Sequence, residues 1–240
     1  MKFAIIADIH ANWEAFQVVL EDIEKQKCTH YACVGDVVGY NANPKECLDL
    51  VRKMEMPCVK GNDDEYCSSE DALEGFNQHA AAAVNWTRKQ LTTQDRQWLR
   101  DLKYTRMVTS FSMVHATLDG PQRWGYVFDK LGAAASFPYQ TTQVCFFGHT
   151  HVPVAFIRDS IVRGGTYSKF KVEPGKKYFV NVGAVGQPRD GNPKAAYVVF
   201  DMDASTIELR RLDYDIATAQ KKIRAAGLPE RLAERLAFGK

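Results

Sequence analysis

Short apolar runs recur along this chain, and several of them stop on a residue able to hold a metal ion or shape a turn. Lys2–Ala7 ends at Asp8, Tyr31–Val34 at Gly35–Asp36, and roughly Cys58–Lys60 at Gly61–Asn62. Runs this short read as buried strands, and none approaches the roughly 18 residues that span a membrane. Between them, Trp13, Phe16, Leu20 and Ile23 recur at helical spacing through Lys27, and Pro44 can open a second helix through Leu48 and Val51 to about Met54. Strand–helix alternation of this kind predicts an α/β fold with parallel βαβ units. In such sheets ligands gather beyond the carboxyl ends of the strands, where the polar residues just named fall.

The rhythm breaks over residues 66–105, where Ala80–Ala83, Trp86 and Leu91 suggest one helix and Gln94–Leu102 another. We expect a helical insertion there, lying as a cap over the sheet edge. Strands are expected again at Met107–Thr109, Phe111–His115, Val144–Phe147, Val154–Arg158, Tyr178–Val182, Tyr197–Asp201 and Ile207–Leu212, with a helix around Tyr126–Ala135. Ile216, Ala219, Ile223 and Ala226 mark a late helix stopped at Gly227, and Pro229 opens a last one. No repeat or linker divides the chain, so residues 1–240 read as a single domain carrying the insertion.

Hydrophobic residues make up 45% and charged residues 25%, which excludes disordered and low-complexity classes. The net charge of +2 gives no strong argument for a nucleic-acid partner. Residues 1–75 are acidic and the remainder basic, a surplus best assigned to solvated faces. The opening MKFAIIADIHANW places Asp8 and His10 where a signal peptide would continue its apolar core, so a cytoplasmic location is expected. The six cysteines form no C-x-x-C pair and read as small buried hydrophobes.

The chemistry lies in a constellation. Asp8 and His10 follow the first run, Asp36 the second and Asn62 the third, while His115 ends a later strand and Gly148-His149-Thr150-His151 follows another. Four of the six histidines belong to this set. Any one of them alone would be an ordinary cap or turn residue, but their recurrence on successive strand ends points to metal. Two divalent cations about 3.5–4 Å apart need a shared carboxylate and open positions for water. Imidazole suits Zn, Mn or Fe, and four imidazoles disfavour an all-oxygen Ca²⁺ or Mg²⁺ cage. With Asp8 and Asp36 as the anions, two such ions leave a net charge of about +2, suited to a phosphate anion. A Ser–His–Asp triad finds no matching order.

The order D-x-H, G-D-x-x-G, G-N-x-D, H, G-H-x-H resembles that of the calcineurin-like metallophosphoesterases. ADIHANWEA, GDVVGYNANPKEC, GHTHVP and NVGAVGQPRDGNPKAAY look like its small bacterial and archaeal branch. The resemblance implies two packed mixed β-sheets flanked by helices, an αββα sandwich with the site at the strand ends. It implies two divalent transition-metal ions (Mn, Fe, Zn or Ni), with Asp8, His10 and His151 on one, Asn62, His115 and His149 on the other, and Asp36 bridging. A metal-bridging hydroxide would then hydrolyse a small phosphorylated substrate, possibly a nucleotide: a phosphodiester, a nucleotide polyphosphate or an activated ester. The alternatives are a metal-binding interaction module with little turnover and a phosphoprotein phosphatase.

Three departures stand out. Such proteins commonly carry a histidine after the asparagine, where it protonates the leaving oxygen; here that position is Asp63. Nearby cations favour a carboxylate, so Asp63 should be a poor acid. Ala11 and Ala116 stand where glycine is usual. Arg189 could hold a phosphate bidentately or clamp its loop through Asp190. His79, in the insertion, is a candidate substitute proton donor, and His30 lies at the opposite end of the sheet.

Overall fold

Both faces of the first strand, β1 (Lys2–Ile6), are buried, and its alternating side chains serve two different cores. Phe3, Ile5 and Ala7 face one way, Ala4 and Ile6 the other. In the computed structural model, which describes residues 1–240, this follows from β1 lying between two layers. One sheet has the order β2 (His30–Cys33), β1, β10 (Ala195–Asp201), β11 (Thr206–Leu212) and β8 (Lys169–Lys171). The other runs β3 (Thr105–Val108), β4 (Phe111–Val114), β5 (Val144–Phe147), β9 (Lys177–Asn181), β6 (Val154–Arg158) and β7 (Val162–Gly165).

Phe111 meets Phe3, Phe146 and Phe200 edge to face between the sheets, with centroids 5.0–5.8 Å apart. Full burial of each such ring contributes about 1.5–3 kcal/mol. Outside the first sheet, Phe16, Val19 and Ile23 of α1 (Trp13–Lys25) and Leu48 and Val51 of α2 (Pro44–Lys53) cover Ala4 and Ile6. Outside the second, Ala133 of α6 (Lys130–Ser136) and Phe137 cover Phe147, Phe156 and Phe179. The result is the αββα arrangement of two mixed sheets.

The parallel pairs position the site. β1 pairs with β2 in the register Ile6↔Cys33, so both carboxyl ends emerge together, and β4, β5 and β9 are mutually parallel. Loops after these strands then zip to one another: the amides of Asp8, His10 and Ala11 donate to the carbonyls of Gly35, Asp36 and Val37. Val185 and Gly186 donate to Ala7 and Asp8, tying the two sheets together at that edge.

Several expectations are corrected. Cys58–Lys60 is not a strand; it forms isolated bridges, Cys33↔Cys58 and Val59↔Lys103, because the chain turns into a helix at Asn62 before a ladder can form. Both sheets are mixed, as the resemblance implies, since β10 and β6 return antiparallel to their neighbours. The helix expected around Tyr126 begins at Lys130, where Asp129 caps it. The two helices expected in the insertion are α4 (Gln78–Gln90) and α5 (Thr93–Asp101), and a short helix not expected, α3 (Asn62–Ser68), precedes them. Val84, Leu91 and Leu99 share the core of α1 and α2, so these helices are built into the main layer. Ala83 instead packs with α7 (Ile216–Ala225) and α8 (Glu230–Leu236). No helix is long and apolar enough to cross a membrane.

Candidate metal centre

The loops leaving β1, β2, β4 and β5 bring the acids and imidazoles into two buried groups. Asp8, His10, Asp36 and His151 offer ligand atoms within 4.8 Å of one another, and Asp36, His115 and His149 form a second such group. Asp36 belongs to both. The backbone is strained to do this: Asp8, His10, Asp36, His149 and His151 all have positive φ, between 45° and 67°. That region costs an L-residue about 1–2 kcal/mol, and such strain concentrates at functional sites.

Each imidazole has one nitrogen spoken for by a backbone carbonyl. His10 Nδ1 pairs with Val38 O at 3.1 Å, His115 Nδ1 with Val34 O at 2.8 Å, and His151 Nδ1 with Gln187 O at 2.6 Å. His149 uses Nε2 instead, 2.9 Å from Trp124 O. Protonated nitrogens at those contacts leave lone pairs on His10 Nε2, His151 Nε2 and His149 Nδ1, the arrangement typical of ligating histidines, while His115 Nε2 lies against Asp36 and would give up its proton to a metal. His10 Nε2 and His151 Nε2 stand 3.1 Å apart, so two ring nitrogens share one point in space. A cation satisfies both, and the donor set therefore fits divalent transition metals.

Charge reinforces this. Burial pushes the imidazoles of His10 and His149 down to about 3 and 4, and His151 well below its usual range. These are the neutral forms a metal takes. Burial also opposes a charge on His115, but Asp36, 3.2 Å away, and Asp8 outweigh it and push it up to about 10. Burial raises Asp8 to about 6. Asp36 is buried too, yet the histidines around it, His115 first, hold it below the usual carboxylate range.

Asn62 places Oδ1 3.2 Å from His115 Nε2, at the edge of the second group. Asp63 donates its amide to Asp36 Oδ1 at 2.8 Å, while its own Oδ2 is buried without a hydrogen-bond partner, 3.4 Å from His10 Nδ1. In the metal-free protein, burial and the Asp36 charge push its carboxyl well up. Arg189 lies over the Tyr40 ring and donates from Nε and Nη2 to Gln187 Oε1 at 3.2 and 2.8 Å. The clamp through Asp190 is not formed, because Asp190 pairs with Arg211. Tyr40, Asp63, Tyr126 and Arg189 surround a small cavity over Asp36, Asn62, His149 and His151. His79 is not brought there; it lines an adjoining cavity with Asn77 and Arg235.

Asp64 is a positioning residue that the sequence reading passed over. Its carboxylate accepts the amides of Asp36 (2.8 Å), Val37 (2.9 Å), Val38 (3.4 Å) and Gly61 (3.0 Å), holding the Asp36 loop to the start of α3. Burial and the Asp36 charge push it up to about 7, but with N–H donors on both oxygens a carboxyl proton would have no acceptor. The loop is built around the ionised form. Glycines complete the cradle. A Cβ on Gly61 would collide with the Asp36 carboxylate, and Gly35, at φ +91°, would press one to 2.9 Å from His115 Nδ1. Tyr126 was also missed; its ring stacks on His149 at 4.2 Å.

Known proteins share the fold. The model of the calcineurin-like phosphoesterase superfamily domain matches residues 1–205. An uncharacterised protein of Methanocaldococcus jannaschii is 35% identical over 247 residues, covering 99% of this chain and 98% of that one. The crystal structure of a metallophosphoesterase from Sphaerobacter thermophilus superposes with a TM-score of 0.88 at 36% identity, covering 100% of this chain and 99% of the other. A hypothetical protein from Pyrococcus horikoshii OT3 shares the fold, with a TM-score of 0.82 at 18% identity, over 100% and 98% of the two chains.

Proposed function

This chain belongs to the calcineurin-like phosphoesterase superfamily, and on that premise we propose that it is a two-metal phosphoesterase acting on small phosphorylated substrates. The observation that carries the reading is that Asp36 belongs to both donor groups. Asp8, His10 and His151 would hold one ion, Asn62, His115 and His149 the other, and Asp36 both. Bound there, divalent cations supply an acidified water and stabilise charge on the phosphoryl oxygens.

The protein's own groups do the rest. Backbone carbonyls of Val34, Val38, Trp124 and Gln187 fix the tautomers and aim the rings. Arg189, with no carboxylate partner, presents its guanidinium at the cavity and would bind a non-transferred phosphoryl oxygen. Asp63 stands where related proteins carry a proton-donating histidine. Positive charge at the centre reverses its upward shift, and an ionised carboxylate donates no proton. Departing groups that need no proton are therefore favoured: a nitrophenolate or a nucleoside polyphosphate over an alkyl alcohol.

The test is a titration of the metal-free protein with Mn, Fe, Zn and Ni, read by bound-ion stoichiometry and by hydrolysis of p-nitrophenyl phosphate and its bis-ester. Two ions per chain and turnover that Asp36→Asn abolishes are expected. Two bound ions without turnover on any aryl ester would leave a metal-binding interaction module instead.

A further inference from the structure

A second cavity, about 260 Å³, opens beside the metal centre and shares Tyr40 and Arg189 with it. Beyond that shared wall it is lined by Arg231, Arg235, Lys240 and His79, and no aspartate or glutamate lines it. Neither Arg231 nor Arg235 pairs with an aspartate or glutamate side chain, although neighbouring Arg224 is paired with Glu230. Arg235 is half-buried, and its Nε donates to the main-chain oxygen of Lys240, which leaves Nη1 and Nη2 without a hydrogen-bond partner. Burial and the Arg189 charge push its guanidinium down to about 10, so the cations sit together at mutual cost. The volume holds several waters at roughly 30 Å³ each, room for a phosphoryl group.

The source of these cations is informative. Arg231, Arg235 and Lys240 come from α8 and the segment after it, beyond the residues 1–205 that match the family domain. Leu232 and Leu236 anchor α8 in a core shared with Ala219 and Ile223 of α7 and Ala83 of α4, so the guanidinium groups are carried on a packed element. Three arginines arranged outward from a phosphoesterase centre, none of them paired with an acidic side chain, suit an anion that continues past the scissile phosphate.

We propose that this cavity is a subsite for a second phosphate of the same substrate, making the preferred substrate a polyphosphorylated molecule such as a nucleoside di- or triphosphate. Arg189 stands between the two phosphates, and Arg235 and Arg231 read the second. The inference rests on the phosphoesterase reading, and it is tested in two arms.

In the first, metal-free protein is titrated calorimetrically with inorganic tripolyphosphate and with orthophosphate, so that chelation plays no part. Tripolyphosphate should bind at least tenfold more tightly, and Arg235→Gln should remove most of that preference. Arg231→Gln, at the exposed rim, should remove part of it and serves as the second variant if Arg235→Gln unfolds. In the second arm, metal-loaded protein is assayed on adenosine triphosphate and on p-nitrophenyl phosphate. Each variant should lower the ratio of the two kcat/KM values by about 10–100-fold, the range a charge-assisted hydrogen bond is worth. Equal binding of the two anions, or equal losses on both substrates, would overturn the subsite. Should the wild-type protein cleave neither substrate, the phosphoesterase reading fails, and the binding arm still decides the subsite. Tripolyphosphate preference that neither variant alters would mean an adventitious polyanion site elsewhere and would also overturn it.

Discussion

Replacing Asp64 by asparagine changes one oxygen into an NH₂ group and leaves the side-chain shape intact. Asp64 is fully buried and its two oxygens accept four amides, from Asp36, Val37, Val38 and Gly61. Asparagine offers a single acceptor oxygen. If it kept the Val37 and Val38 bonds, its NH₂ would face the amides of Asp36 and Gly61, donor against donor. Hydrogen bonds to a charged group are worth about 1.5–3 kcal/mol each, so two lost bonds come to about 3–6 kcal/mol. That is a large share of the roughly 5–15 kcal/mol by which a domain is stable. Urea unfolding of the metal-free variant should show this loss as a lowered midpoint. In variant protein that remains folded, metal affinity should fall as well, because the displaced loop carries Asp36. A midpoint shift equivalent to less than about 1 kcal/mol, with wild-type metal affinity, would refute the claim that Asp64 fixes the Asp36 loop.

Gly61→Ala should lower ion stoichiometry while keeping the secondary structure, since the new methyl must displace the Asp36 carboxylate; unchanged stoichiometry by metal analysis would count against the cradle. Away from the site, burial opposes a charge on Asp22, but Arg210 and Tyr197 hold its carboxyl below its usual value of 3.8. Its stabilisation is therefore whole above pH 3.8 and lost as the pH falls through the lower folded value. Asp22→Asn should flatten the acid limb of a melting-temperature profile and leave the neutral limb parallel to wild type. Asp63→His should raise the rate on alkyl phosphates more than on p-nitrophenyl phosphate, because a positioned acid is worth about 10²–10⁴-fold where the leaving group needs a proton. Similar wild-type rates on alkyl and aryl esters, with chemistry limiting, would show that another acid acts.

Much of the layer structure is local and was legible in the sequence. Runs such as Phe3–Ile6 and Val144–Phe147 bury both faces, so their composition alone marks them as interior strands. The metal-competent residues were equally legible, because each directly follows a strand and parallel strands deliver their ends to one edge. Edge strands were not. Val162–Gly165 and Lys169–Lys171 are mostly exposed and carry no apolar pattern; pairing with β6 and β11 makes them strands. The reverse holds for Cys58–Lys60, whose composition suggests a strand but whose ladder is cut short by α3. α3 itself lacks an apolar stripe and is held at its start by Asp64, a bond visible only in three dimensions.

The roles of charged residues depended most on tertiary structure. Arg189 has an acid beside it in sequence, and it is free of that acid only because Arg211 on a neighbouring strand pairs with Asp190. Arg231 and Arg235 look like ordinary surface charges of a terminal helix until α7 and α4 dock that helix next to Arg189. Apolar periodicity is set by covalent neighbours, so the sequence displays it. Electrostatic partnership acts through space between distant segments, and only the folded chain decides who stands beside whom.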